Sequence, residues 1–191
     1  MTVSRYFLCF IAFWLAISIY AGEFQRDIPA ASWEWTFFRD INALTTRAGW
    51  QPLREHGLPA GSLEVRVWIG FGVTPLEGFR LRRDGSTCTA FHVLDSIKKS
   101  QPAQVKSVSP RSDWDALWKR LFELHLLTLP DSSLLAQDET MILDGESYVV
   151  EVNSGDHYRT YEYSNPQFRA LPEAKDMVEI VDVLRHQLVA Q

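Results

Sequence analysis

The sequence predicts an α+β fold, an antiparallel sheet of about five strands packed with about three helices. Three observations carry that prediction. Apolar residues recur at every second position from Leu63 to Phe71, which is the spacing of a strand with one buried face. Two turn signals, Asp84-Gly85 and Ser154-Gly155, lie between alternating runs and mark hairpins. Three further segments carry apolar residues three and four apart, as amphipathic helices do.

An export address precedes these elements. Arg5 stands before an uncharged apolar run from Tyr6 to Ala21, and a basic start, an apolar stretch and the small pair Ala21-Gly22 are the parts of a secretory leader. The run is short for a membrane span, which needs about 20 helical residues to cross roughly 30 Å of hydrocarbon. Residues 1–21 therefore read as a signal peptide. Because Ile19 and Tyr20 are bulky for a cleavage site, a retained N-terminal membrane anchor is the alternative. On either reading, residues 22–191 form a single exported domain, periplasmic or at the cell surface.

Composition narrows the class further. Apolar residues make up 46% of the chain, aromatics 13%, and the net charge is −5, which suits a globular protein and not a disordered one. An acidic chain repels phosphate backbones, so no nucleic-acid partner is expected. Cys9 lies in the leader, leaving Cys88 without an intramolecular partner, and stability must come from packing. Cys88, flanked by Thr87 and Thr89, reads as a small buried hydrophobe.

Ser32 is an N-cap candidate for the first helix, whose face is Trp33, Phe37, Ile41 and Leu44, with Gly49 as its stop. Trp50 to Gly61, rich in Pro and Gly, reads as a loop. In the first strand Leu63, Val65, Val67, Ile69 and Phe71 face one way while Glu64, Arg66 and Trp68 face the other. A second strand over residues 79–83 meets Asp84-Gly85. With those two as the central turn residues, Leu81 lies opposite Cys88 and Phe79 opposite Ala90 on the core face, with Arg82 and Arg80 outside. A short edge strand fits Val105 to Val108.

Ser112 and Asp115 open a second helix whose stripe is Trp114, Leu117, Trp118, Leu121 and His125. A second hairpin joins residues 147–152 to 157–163. With Ser154-Gly155 as the turn, Tyr148 faces Tyr161 and Glu151 faces Tyr158. Pro172 at a first helical position then opens a helix with Met177, Ile180, Val181, Leu184 and Leu188 inside. The helices are expected on one face of the sheet.

Chemistry is sparse in this pattern. The five histidines, at positions 56, 92, 125, 157 and 186, share no metal-ligand spacing with one another or with Cys88, so no metal or other cofactor is expected. There is no nucleophile elbow, phosphate-binding glycine loop or His-Glu-x-x-His. Asp176, Glu179 and Asp182, with Lys175 and Arg185 nearby, read as a solvated, salt-bridged helix face. Glu151, Tyr158 and Glu162 are the one carboxylate and phenol grouping that acid-base chemistry would use.

Alternation gathers Arg66, Trp68, Arg80, Arg82 and Phe91 on the outer face of the meander, a basic and aromatic patch on an acidic protein. Arg and Trp are enriched where interfaces bind tightly. The competing reading has a helix or the N-terminal segment covering Trp68, with arginine stems fringing it. The leading expectation is a noncatalytic exported domain that binds a protein or envelope component through this face and meets a membrane only through its N-terminal segment. The alternative is a small envelope hydrolase with dispersed catalytic residues.

Overall fold

A computed structural model describes residues 32–55, 57–72, 74–96, 101–135, 145–155 and 157–189. The leader expected at residues 1–21 lies outside them. Six strands, β1 (Ser62–Gly70), β2 (Glu77–Asp84), β3 (Thr87–Leu94), β4 (Gln104–Val108), β5 (Ser147–Ser154) and β6 (His157–Ser164), form one antiparallel sheet in the order β4-β3-β2-β1-β5-β6. Three helices accompany it, α1 (Trp33–Arg47), α2 (Trp114–Glu123) and α3 (Pro172–Leu188). The α+β class holds, and the edge strand β4 brings the sheet to six.

One sheet face is hydrocarbon. Val65, Val67 and Ile69 of β1, Phe79 and Leu81 of β2, and Tyr161 and Tyr163 of β6 bury against Leu117, Trp118 and Leu121 of α2 and Met177, Ile180 and Leu184 of α3. Asp113, not Ser112, caps α2, its carboxylate accepting the Ala116 N–H at 2.7 Å. His125 does not join the stripe. It lies beyond the end of the helix at φ +58°, exposed, with Nδ1 2.9 Å from Asp176.

The expectation that all helices share one face is overturned. Helix α1 packs on the opposite face, where Phe38, Ile41 and Leu44 meet Trp68, Val93 and Val149. The register explains why that face accepts a helix. Trp68 lies opposite Gly78 and Val149, and Gly78 lies opposite Val93, so one cross-strand row is apolar from β3 to β5. A Cβ on Gly78 would stand 2.5 Å from the Trp68 ring, so the glycine makes the recess into which the indole folds.

Both hairpin registers differ from expectation in the same way. Asp84 pairs with Thr87 and Ser154 with His157, so each turn begins one residue later than expected and the partner strand slides by two. Leu81 faces Ala90, Arg80 faces Phe91, and Tyr148 faces Tyr163. Gly85 at φ +60° and Gly155 at φ +66° take the first turn position, where a positive φ favours glycine. A slip of two preserves faces. Cys88 accordingly stays on the inner side, partly buried at the edge of the hydrocarbon core. None of the described helices is long and apolar enough to cross a membrane.

Candidate binding site

Past the apolar row under α1, the outer face becomes charged. Arg66 lies between Arg80 on β2 and Glu151 on β5, and the next row holds Arg82, Glu64 and Asn153. Alternating strands usually give such residues to water. Here the segment after α1 lies over part of them. Asn153 donates to the Leu53 carbonyl at 3.1 Å, and the Trp50 ring comes within 6.3 Å of Trp68 and 6.2 Å of Phe91, centroid to centroid.

Glu64, fully buried, is the hub. Its Oε1 accepts from Arg66 Nε at 2.9 Å and from Arg80 Nε at 2.8 Å, its Oε2 accepts from Arg80 Nη2 at 3.0 Å, and Arg82 Nη1 stands 3.5 Å away. Burial alone would raise its pKa, but hydrogen bonds and charge from Arg80 and Arg66 outweigh it and hold the carboxyl below the ordinary glutamate range. Beside this hub, Glu151 accepts from Trp68 Nε1 at 2.7 Å and from the Tyr158 hydroxyl at 2.9 Å. Burial, with the charge of Glu151, pushes the Tyr158 phenol far up, so its proton stays in that bond. Arg54 pairs with Glu34 and lies 4.7 Å from both the Phe38 and Tyr158 ring centres.

This geometry divides the expected patch. Trp68 is 0% exposed and Arg66 2%, so neither is a surface group, and their assignment to an exposed binding patch is corrected. The apolar stripe of α1 needed an apolar surface of its own and took Trp68. Arg80 and Arg82 keep side-chain exposures of 21% and 27%, and Phe91 is partly exposed. Trp50, assigned only to a loop, completes the open part. The Arg80 guanidinium lies 5.4 Å from the Trp50 ring centre and 5.8 Å from that of Phe91, within cation–π range.

The acid-base grouping does not assemble in one place. Glu151 and Tyr158 meet, but Glu162 bonds to Ser132 at 3.1 Å and to Ser164, and burial raises its pKa. A groove of about 640 Å³ opens at the strand ends, lined by Glu77, Asp95, Glu146 and Arg185 among others. Glu77 there is committed, its Oε1 2.9 Å from His92 Nε2 and its Oε2 2.7 Å from Arg185 Nη2. These partners outweigh burial and hold its pKa low. Of the acidic residues on α3, Glu179 pairs with Arg120 and Asp176 with His125. Among the described residues no cluster of His, Cys, Asp or Glu could hold a metal ion. The chain matches no family model, and neither curated proteins nor solved structures yield a similar one.

Proposed function

We propose that this chain is an exported, noncatalytic binding domain of the cell envelope, delivered by residues 1–21 and engaging a protein or envelope component through the ledge formed by Trp50, Arg80, Arg82 and Phe91. One observation carries this reading. Arg80 is held between two aromatic rings on the part of the outer face that α1 leaves open, so two large rings and two guanidiniums share one partly exposed surface. Tight contacts are enriched in such residues because each gives wide contact area together with an aromatic face or a directed polar group. The carboxylates Glu64, Glu77 and Glu151 are already tied to internal donors. Groups so committed hold the shape of the face.

A photo-crosslinking residue placed at position 82 or 91 in the full-length protein, in intact cells, tests the reading. Discrete adducts are expected from these positions and not from 119, on the exposed side of α2. Equal labelling from 119, or none from the ledge, would count against it.

A further inference from the structure

The arginines of the outer face carry more donor capacity than their neighbours use. Arg66 gives Nε and Nη2 to Glu64, yet its Nη1 is buried and has no hydrogen-bond partner. Arg80 likewise gives Nε and Nη2 to Glu64, and among the described residues its Nη1 enters no hydrogen bond. Arg82 gives Nε and Nη2 to Asp84, while its Nη1 stands 3.5 Å from Glu64 in an ion pair. Arg66 and Arg80 are cross-strand partners, and Arg82 occupies the adjacent row of the same face. Arg66 and Arg80 therefore each keep one Nη1 outside any hydrogen bond, and Arg82 holds its Nη1 only in the 3.5 Å ion pair with Glu64.

The carboxylate opposite Arg66 is already engaged. Glu151 lies across from Arg66 but gives its two oxygens to Trp68 and Tyr158. Faces of Trp50 lie toward Arg66 and Arg80, at 5.6 and 5.4 Å. An aromatic face attracts a guanidinium but accepts no hydrogen bond of ordinary strength. A buried N–H without an acceptor is costly, and an anionic acceptor answers a guanidinium best because the bond is charge-assisted and planar. On the strength of the ledge as binding surface, we infer that Arg80 and Arg82, at the open edge of the face and backed by the buried charge of Arg66, form a subsite for a single oxyanion, a carboxylate or a phosphate, carried by the ligand and flanked by Trp50 and Phe91.

The inference concerns a small chemical group, so simple salts test it. The full-length protein, labelled with ¹⁵N, is titrated with sodium acetate, sodium phosphate and, at matched ionic strength, sodium chloride, while the arginine Nε–H and tryptophan indole resonances are followed. Saturable shifts of Arg66, Arg80 and the Trp50 indole are expected with acetate or with phosphate. Which of the two saturates identifies the oxyanion.

Arg82→Gln, at the more exposed position, should weaken the effect by roughly tenfold, the worth of one charge-assisted hydrogen bond. An unchanged Trp68 indole resonance will show that the fold is kept. Arg80→Gln should do the same or more. Shifts that stay linear throughout, equal shifts with chloride, or an unaltered Arg82→Gln titration would overturn the subsite. Crosslinking at 82 and 91 without oxyanion binding removes this inference alone, whereas loss of both removes the ledge as well.

Discussion

The two faces of the sheet solve the same problem with different materials. On the inner face, Trp118 of α2 sits among aliphatic and tyrosine side chains whose phenols reach backbone carbonyls, Tyr161 to Leu126 at 2.6 Å and Tyr163 to Pro130 at 2.9 Å. On the outer face, Trp68 sits between the apolar stripe of α1 and a charged network that takes its indole N–H. Both indoles are essentially inaccessible. The inner face draws on the hydrophobic effect and tolerates approximate packing, whereas the outer face depends on every charge keeping its partner. A half-charged face can therefore be as buried as an apolar one, but it fails differently when altered.

The largest effects should come from treating the two faces alike. Trp68→Ala and Trp118→Ala should each lower unfolding free energy by about 3–5 kcal/mol in urea titrations, the usual loss for a buried Trp. A surface indole would lose only about 0.5 kcal/mol, so a mild Trp68→Ala would break the comparison at once. Glu64→Gln should cost a similar amount, about 3–5 kcal/mol, because it leaves buried guanidiniums without their carboxylate. Removal of a methyl or two from the inner face has no electrostatic counterpart.

A subtler change is expected at Gly78. Adding one methyl in Gly78→Ala places carbon 2.5 Å from Trp68 and 2.8 Å from Val93, and overpacking of this kind costs about 1–3 kcal/mol. Thermal unfolding of that single variant reads how firmly α1 presses the indole into its recess.

Acid should separate two glutamates of this same outer face. The folded pKa of Glu64 is depressed below the ordinary 4.5, so its contribution is present above that value and is lost as pH falls through the folded pKa. The penalty of Glu64→Gln should accordingly shrink on acidification below pH 4.5. Glu162 is shifted the other way by burial, so wild-type stability should fall as pH rises from 4.5 through its raised pKa. Glu162→Gln should therefore gain on the wild type over that interval, measured by unfolding at a series of pH values. The smallest effect belongs to the ledge, where Arg82→Ala should change stability by less than about 1 kcal/mol because its pair with Asp84 is solvent-screened.

How far the chain could be read in advance follows from the same contrast. Strand periodicity at Val65, Val67 and Ile69 and helix periodicity at Met177, Ile180 and Leu184 found the inner core, since both elements offer an apolar stripe that has one use. The alternation that put Glu64, Arg66 and Trp68 on the other side was also right about the face. It could not say whether that face met water, because burial there depends on α1 and on Trp50, which arrives from a Pro- and Gly-rich segment without any period. A signal was present in Gly78, whose missing side chain becomes meaningful only once Trp68 is known to lie opposite. Both hairpins were misplaced by one turn residue because Asp84-Gly85 and Ser154-Gly155 each offer glycine as either central residue. The one-residue shift of the cap from Ser112 to Asp113 and the exposure of His125 were similarly local, since α2 ends at Glu123 and the chain turns left-handed at His125.

The central claim, that the outer face holds a second core that joins the apolar stripe of α1 to a buried charge network, is tested most directly by hydrogen exchange of the indole N–H groups. Trp68 Nε1 donates to Glu151 at 2.7 Å beneath α1, whereas Trp35 on the far side of that helix is 66% exposed. The Trp68 indole proton should exchange only through global unfolding, as slowly as the most protected amides of β1, while that of Trp35 exchanges at the rate of an open indole. Comparable fast exchange at both would contradict a buried outer face.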